Sequence, residues 1–412
     1  MKKIPFHKVH TGKKEFKNLK KVLKNGWLTM GPLTLEFEKN LLNFLKSKAH
    51  EPQNITGTLT ASSCTACLHL ALILAGVKEG DEVIVPTNTF VATAEVAVYL
   101  KAIPVLADID YSTGNISIED LERKITPKTK AVMVVHFSGH PADLDSVKEL
   151  VEHYSTKFHG DKNYITIVED AAHALPAFYK GKIVGEISPY TCYSFYATKT
   201  LAAGEGGAIS FGPGSRKEDI ERFAVLRLHG MSKHAWKRYS DLGSWYYEVI
   251  ETGYKYNFTD LGAALALAQL ENLIEMWEKR KKIAQKYREY LKELEDAGYL
   301  KLPQEMPYAV SSWHLFVIKV SQEAQKAGYG RNDLINFLRE NGVGTSVHFI
   351  PLHRHPAYRK FVPPSQPIEK IFPNAEKFFS GNISLPIFPD LPLKDVEYIS
   401  EKIKEFFLKK SA

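Results

Sequence analysis

Ile165-Thr166-Ile167-Val168-Glu169-Asp170-Ala171-Ala172-His173 is an apolar run that stops abruptly on two carboxylates and then turns through two small residues. The run reads as a strand over 164–168 that ends at Glu169-Asp170. Its apolar residues follow one another without polar alternation, which is the signature of a strand buried on both faces. A carboxylate at the exit of such a strand is costly unless it meets a cation or a set of donors. Two readings of Asp170 stand: the cap of a following helix, or the partner of a ligand's protonated ring nitrogen. Ala171 and Ala172 leave room for a flat ring to approach.

The flanking sequence repeats the pattern. Ala131–His136 is a second continuous apolar strand and Leu144–His153 a helix. Earlier in the chain come helical candidates at Leu33–Leu45, Cys67–Ala75 and Ala92–Leu100, with strands at Glu82–Val85 and Pro104–Asp108. Ile116–Lys124 is a short helix with Ser117 as its cap. Cys192–Tyr196 is a further strand, ending near Lys199. Strands alternating with helices predict an α/β fold with a mostly parallel central sheet flanked by helices. Ligands of such sheets bind beyond the carboxyl ends of the strands, which is where Asp170 and Lys199 fall.

Leu273, Trp277, Ile283, Ala284, Tyr287, Leu291 and Leu294 recur at helical spacing, and Gly298 supplies a stop. Beyond it, Trp313–Val320 reads as a strand, Asn332–Asn341 as a helix, Thr345–Ile350 as a strand and Pro363–Pro373 as an exposed loop. The expected organisation is a large domain over 1–265 and a smaller C-terminal α+β domain over 266–412. A length of 412 residues suits that division.

Composition excludes several function classes. Hydrophobic content of 44% and charged content of 25% are those of a globular protein. No apolar run has the length of a membrane span, and Met1-Lys2-Lys3-Ile4-Pro5 is followed by no apolar leader segment, so a cytoplasmic location is expected. The net charge of +7 is modest, and no basic segment is interleaved with aromatics as a nucleic-acid platform would be. A mild positive bias suits an anionic small substrate. The three cysteines do not make a disulfide framework. Cys64 and Cys67 form a C-x-x-C, but no second one exists and His69 is the one nearby imidazole, short of the four ligands a structural zinc takes. They read as small buried residues at a helix start, and no metal is expected.

Two further segments carry chemistry. Ser194-Phe195-Tyr196-Ala197-Thr198-Lys199 leads into Gly204-Glu205-Gly206-Gly207. A lysine beside backbone without side chains can meet a ligand closely, and its pKa falls readily on desolvation, which suits Schiff-base chemistry. A surface lysine in a turn is the plainer alternative. The glycines do not have the G-x-G-x-x-G spacing of a dinucleotide fingerprint. Ser62-Ser63-Cys64-Thr65-Ala66 opens a helix with small hydroxylated residues, either as ordinary capping or as a phosphate cradle at the helix N-terminus.

Taken together, these segments resemble the DegT/DnrJ/StrS family of sugar aminotransferases, fold-type I (aspartate aminotransferase-like) enzymes of pyridoxal 5'-phosphate (PLP). The resemblance runs from Trp27-Leu28-Thr29-Met30-Gly31-Pro32 to Ser384-Leu385-Pro386-Ile387-Phe388-Pro389-Asp390. Between lie the Ser62–Ala66 segment, Pro86-Thr87-Asn88-Thr89-Phe90, Glu169–His173, Ser194–Lys199, Gly253-Tyr254-Lys255-Tyr256-Asn257-Phe258-Thr259-Asp260 and Trp313-His314-Leu315-Phe316.

The resemblance implies roles. Lys199 would carry PLP as a Schiff base and later move a proton between substrate and cofactor carbons. Asp170 would pair with the pyridine nitrogen. His173 would lie near the phenolic oxygen, where many relatives have Gln, and Phe90 would stack on the ring. Backbone groups of Thr65 and Ala66, with the Ser194 hydroxyl, would hold the phosphate. Asn257 would reach it from a neighbouring subunit, making a homodimer with shared active sites. His348 is a candidate sugar contact, or else a packed strand residue. Cys64 stands where many relatives have Gly and some Ala.

Lys199, where the family's dehydratases have His, favours transamination. Glutamate would give its amino group, leaving 2-oxoglutarate, and a nucleotide-linked keto-sugar would take it by a ping-pong route. Lys255 and Asn257, in place of Asn and Arg, make the Gly253–Asp260 block most similar to relatives acting on 4-keto sugars, including the UDP-4-amino-4-deoxy-arabinose aminotransferases. A PLP-binding regulatory or non-transaminating member is the alternative, and a thiol-redox or zinc protein built on Cys64 and Cys67 a more distant one. Specificity would rest on the loops around Ser232–Ser244 and His348–Tyr358.

Overall fold

Apolar runs with helices between them dictate a buried central layer. The computed structural model describes residues 3–232, 246–363 and 366–408. Its strands are β1 (Gly57–Ala61), β2 (Glu82–Pro86), β3 (Ile103–Ala107), β4 (Thr129–Val135), β5 (Thr166–Asp170), β6 (Phe178–Tyr179), β7 (Lys182–Ile183), β8 (Tyr190–Ser194), β9 (Gly207–Phe211), β10 (Leu300–Lys301), β11 (Ala309–Val310), β12 (Phe316–Val320) and β13 (Asn382–Leu385). Seven of them form one sheet in the order β1-β9-β8-β5-β4-β2-β3. From β8 across to β3 every pairing is parallel. Only β9 runs against its neighbours. The carboxyl ends of the other six strands therefore share one edge.

Alternate residues of the same strand enter opposite layers, as the pleat requires. Val83, Val85, Ala131, Met133 and Val168 pack with the helices Cys64–Leu74 and Ala92–Tyr99. Ile84, Val132, Val134 and Ile167 pack with the helices Ile118–Lys124 and Leu144–His159. Burial on both faces explains why these strands lack polar alternation.

The helix Asp260–Asp296 spans 37 residues and serves two cores. Its Ala263–Met276 portion packs with Phe37, Leu41 and Leu45 of the helix Pro32–Lys48. From Ile283 onward it packs against β12, β13 and the helix Leu393–Leu408, and Ile4 joins this second core. The chain position 265–266 thus lies inside one continuous helix. Gly298 adopts φ 79 just past the helix end, a left-handed conformation that glycine takes without strain.

Two expectations fail in the C-terminal region. Thr345–Ile350 is not a strand: a single bridge joins Ser346 to Ser384, and then side chains take over from the ladder. His348 Nδ1 meets Ser384 Oγ at 2.7 Å, Asn382 Nδ2 donates to the His348 carbonyl at 2.6 Å, and the Phe349 amide donates to Asn88 Oδ1 at 3.3 Å. The 363–373 segment is not wholly loop, because Ile368–Ile371 forms a helical turn and a helix begins at Pro373. Pro is well suited to a first helical turn, where its missing N–H is not needed. Among the described residues no helix is long and apolar enough to cross a membrane.

Candidate active site

The carboxyl ends of five strands, β1, β2, β4, β5 and β8, line one cleft of about 430 Å³ at that edge of the sheet. The exit of β1 caps the helix Cys64–Leu74: Ser63 Oγ accepts from the Ala66 amide at 3.1 Å. In the first turn of a helix the amides lack intrahelical acceptors, so Cys64 and Thr65 present theirs at the positive end of the helix dipole. Gly207, at the start of β9, lies so close to this turn that a Cβ there would overlap Cys64 N and the Ser63 carbonyl carbon.

The exit of β5 places Asp170, 6% exposed, against the floor of the cleft. Thr93 Oγ1 donates to its Oδ2 at 2.7 Å, and the Ala172 amide to its Oδ1 at 3.2 Å. Cys64 Sγ sits 4.0 Å from Oδ1 and 3.6 Å from the Cys192 carbonyl. Neighbouring Glu169 is fully buried and meets His136 Nε2 at 2.7 Å, with no exposure at either side chain.

The exit of β8 curls back on itself. The Phe195 amide donates to the Gly206 carbonyl at 2.8 Å and the Lys199 amide to the Tyr196 carbonyl at 2.9 Å. This turn aims Lys199 into the cleft. Desolvation there lowers its pKa to about 8, with the Asp170 charge opposing the fall. Ser194 lines the same wall, its Oγ accepting from the Tyr196 amide at 3.3 Å.

Opposite stands a wall of imidazoles. His173 Nδ1 accepts from the Ser138 amide at 3.2 Å, which leaves Nε2 to carry the proton. Its ring lies 4.4 Å from that of His314 and stacks on Phe349 at 5.9 Å. Burial pulls His173 and His314 well below the usual histidine range and His348 down to about 4, so all three are neutral near pH 7. His314 Nδ1 is buried without a hydrogen-bond partner.

The cleft brings together Thr65, Phe90, Asp170, His173, Ser194, Lys199 and His348. Phe90 remains 59% exposed, its ring 6.1 Å from that of Phe349. Ala66 lies one residue behind the lining, its amide engaged by Ser63. Asn257 does not line this cleft; its Nδ2 approaches Thr29 Oγ1 at 3.4 Å. Of the two expected specificity loops, Ser232–Ser244 falls almost wholly outside the described residues, while His348–Tyr358 contributes His348 and Phe349.

Thr93 carries no role in the sequence reading, and His314 appears there only within a family block. The available signal for Thr93 was a hydroxyl among the alanines of a helix's first turn, shortly after Phe90. Cys64, Cys67 and Cys192 are buried free thiols. Burial raises the pKa of each, which keeps them protonated and poor as nucleophiles or metal ligands. Among the described residues no cluster of His, Cys, Asp and Glu could hold a metal ion.

Comparison with known proteins agrees with this geometry. The model of the DegT/DnrJ/EryC1/StrS aminotransferase family matches residues 9–404. The Bacillus subtilis spore coat polysaccharide biosynthesis protein SpsC is 40% identical over 403 residues, covering 98% of this chain and 96% of SpsC. Spr1654 of Streptococcus pneumoniae, solved in a PLP form, superposes with a TM-score of 0.86 at 31% identity, covering 99% of each chain. PseC of Helicobacter pylori, an aminotransferase involved in pseudoaminic acid biosynthesis, gives a TM-score of 0.84 at 27% identity over 99% of this chain and 100% of PseC.

Proposed function

This chain belongs to the DegT/DnrJ/EryC1/StrS aminotransferase family, a PLP-dependent sugar aminotransferase, and from that premise we propose that it moves an amino group from glutamate to C4 of a nucleotide-diphosphate-linked keto-sugar. The observation that carries the reading is the meeting of Lys199 and Asp170, from two separate strand exits, in one cleft with a helix N-terminus.

The residues fit PLP. The first-turn amides of Cys64 and Thr65 offer donors to a phosphate, and Gly207 keeps backbone close beside them. Asp170 is a buried carboxylate with no cation bound to it among the described residues and suits a protonated ring nitrogen. His173, whose Nδ1 accepts from the Ser138 amide, has its Nε2 proton to offer to an oxygen of the ligand. Phe90 offers an exposed ring face. When bound, PLP supplies an electron sink for carbanion chemistry at the amino-bearing carbon.

The protein's own work is positioning and proton transfer. Lys199, titrating near 8, has a neutral fraction at physiological pH that an ordinary lysine lacks. Its amine would hold the cofactor and is the group placed to move a proton at the reacting carbon. Asp170 would hold the ring nitrogen, and Ser194 would complete the phosphate site with the Cys64 and Thr65 amides, the Ala66 amide being already bound to Ser63 Oγ. His348 meets the sugar. The family resemblance supports a homodimer in which Asn257, which lies outside its own cleft, reaches the partner's phosphate. Two half-reactions share one site, so glutamate and sugar bind in turn.

Spore coat polysaccharide synthesis by SpsC and pseudoaminic acid synthesis by PseC support a role in making amino sugars. Three free cysteines support a reducing, cytoplasmic setting. Purified enzyme with glutamate should aminate 4-keto sugar nucleotides, read by mass spectrometry of the product. Amination of 3-keto sugar nucleotides alone would refute the C4 assignment. A PLP-binding regulator that does not transaminate would fail to produce 2-oxoglutarate from glutamate.

A further inference from the structure

A carboxylate that must hold a ring nitrogen at a fixed height needs its own orientation fixed, and Asp170 is held from a helix as well as from its own strand. Thr93 Oγ1 reaches Asp170 Oδ2 at 2.7 Å, and Thr89 Oγ1 reaches Thr93 Oγ1 at 2.7 Å. A carboxylate only accepts, so the Thr93 hydroxyl donates to it. Thr93 has one proton to give, so Thr89 donates to Thr93. The result is a directed chain, Thr89 to Thr93 to Asp170. All three residues are buried, Thr93 with no exposure and Thr89 with 2%, so no water replaces these donors cheaply.

The position of the chain matters as much as its direction. Thr89 immediately precedes Phe90, and Thr93 lies in the first turn of the helix Ala92–Tyr99. Phe90 and Asp170 line the same cleft from different strands. The two hydroxyls are the polar link between the segment carrying Phe90 and the carboxylate of β5. With the Ala172 amide on Oδ1 at 3.2 Å, both oxygens of Asp170 are tied, one to its own chain and one to this helix.

We propose that Thr93 is a positioning residue for the cofactor: its hydroxyl, backed by that of Thr89, sets the orientation of the Asp170 carboxylate and locks it to the segment that carries Phe90. The inference rests on the reading of the cleft as a PLP site. A hydrogen bond to a charged acceptor is among the stronger ones in a protein. Its loss frees the carboxylate to turn away from the ring nitrogen.

The test is titration of apo-protein with PLP, followed by absorbance, for wild type, Thr93→Val and Thr93→Ser. Thr93→Val keeps the shape and removes the hydroxyl; Thr93→Ser keeps the hydroxyl. The expected result is about tenfold or greater weakening of PLP binding in Thr93→Val, with Thr93→Ser within about twofold to threefold of wild type. The glutamate half-reaction should slow in Thr93→Val at saturating glutamate, because the defect lies in the cofactor's seating. Thermal melting of the apo-proteins separates a purely structural role, which would lower the midpoint while leaving PLP affinity unchanged. Wild-type PLP affinity in Thr93→Val, or a Thr93→Ser variant as weak as Thr93→Val, overturns the inference. Wild-type protein that takes up no PLP overturns instead the reading of the cleft on which it rests.

Discussion

Asp170 stands opposite Cys192 across the parallel β5–β8 ladder, and the Ala171 amide extends that ladder by donating to the Cys192 carbonyl at 2.8 Å. This register places the end of β5 two residues short of the end of β8 at Ser194. The turn after Ser194 then has only five residues in which to bring Lys199 over the same edge. Carboxylate and amine come from strands adjacent in the sheet, and the Asp170 charge is felt at Lys199.

That proximity predicts a pH profile. Capture of PLP by the apo-protein requires the neutral amine. Its rate should climb with pH up to about 8 and level off above it, where an unshifted lysine would keep climbing toward 10.5. Asp170 raises the Lys199 pKa, so Asp170→Asn should move the midpoint below that of wild type. Stopped-flow absorbance across pH gives both midpoints. A wild-type midpoint near that of free lysine would contradict the desolvated setting.

Asp170→Asn should also separate binding from chemistry. An amide cannot hold a proton on the ring nitrogen as a carboxylate does. Turnover should fall by about two orders of magnitude or more, the scale of losing a group that acts in proton-transfer steps, while some PLP remains bound. Single-turnover kinetics with glutamate measure this. Near-normal rates would assign the charge to another residue.

The close approach at Gly207 predicts a steric effect without loss of any polar group. Gly207→Ala would drive its methyl into the backbone of Ser63 and Cys64, tilting the first-turn amides away from a phosphate. PLP affinity should drop by about tenfold or more, on the scale of one lost charge-assisted hydrogen bond. Equilibrium dialysis against PLP reads it directly. Unchanged affinity would mean the phosphate is held elsewhere.

Away from the cleft, Arg227 and Glu38 form a buried pair at 2.5 Å, with side chains 3% and 7% exposed. Glu38 also accepts from the amide and hydroxyl of Thr60 near the carboxyl end of β1. Arg227→Met leaves a buried carboxylate without its cation, a loss of about 3–5 kcal/mol. Denaturant unfolding of the apo-protein should show it.

Much of this arrangement was legible because strand exits are marked locally. Asp170 and Lys199 each follow a strand that the sequence displays, and Ser63 belongs to a run of small hydroxylated residues that opens a helix. Thr93 was not, because its partner is 77 residues away and nothing local marks its hydroxyl as more than an ordinary helix residue. The start of the Asp260–Asp296 helix was hidden for a related reason. Gly262-Ala263-Ala264-Leu265-Ala266-Leu267-Ala268 has no polar face to mark a period, since most of it is buried. Thr345–Ile350 misled in the opposite sense. Its composition suits a strand, but Asn88, Asn382 and Ser384 supply from side chains the partners a ladder would have given.

The most direct test of the account is the visible spectrum of purified protein supplied with PLP, before and after borohydride reduction, followed by peptide mapping. The account predicts a coloured protein, bleached by borohydride, with the reduced pyridoxyl group on Lys199. A colourless protein that carries no label, or a label on a different lysine, would contradict it.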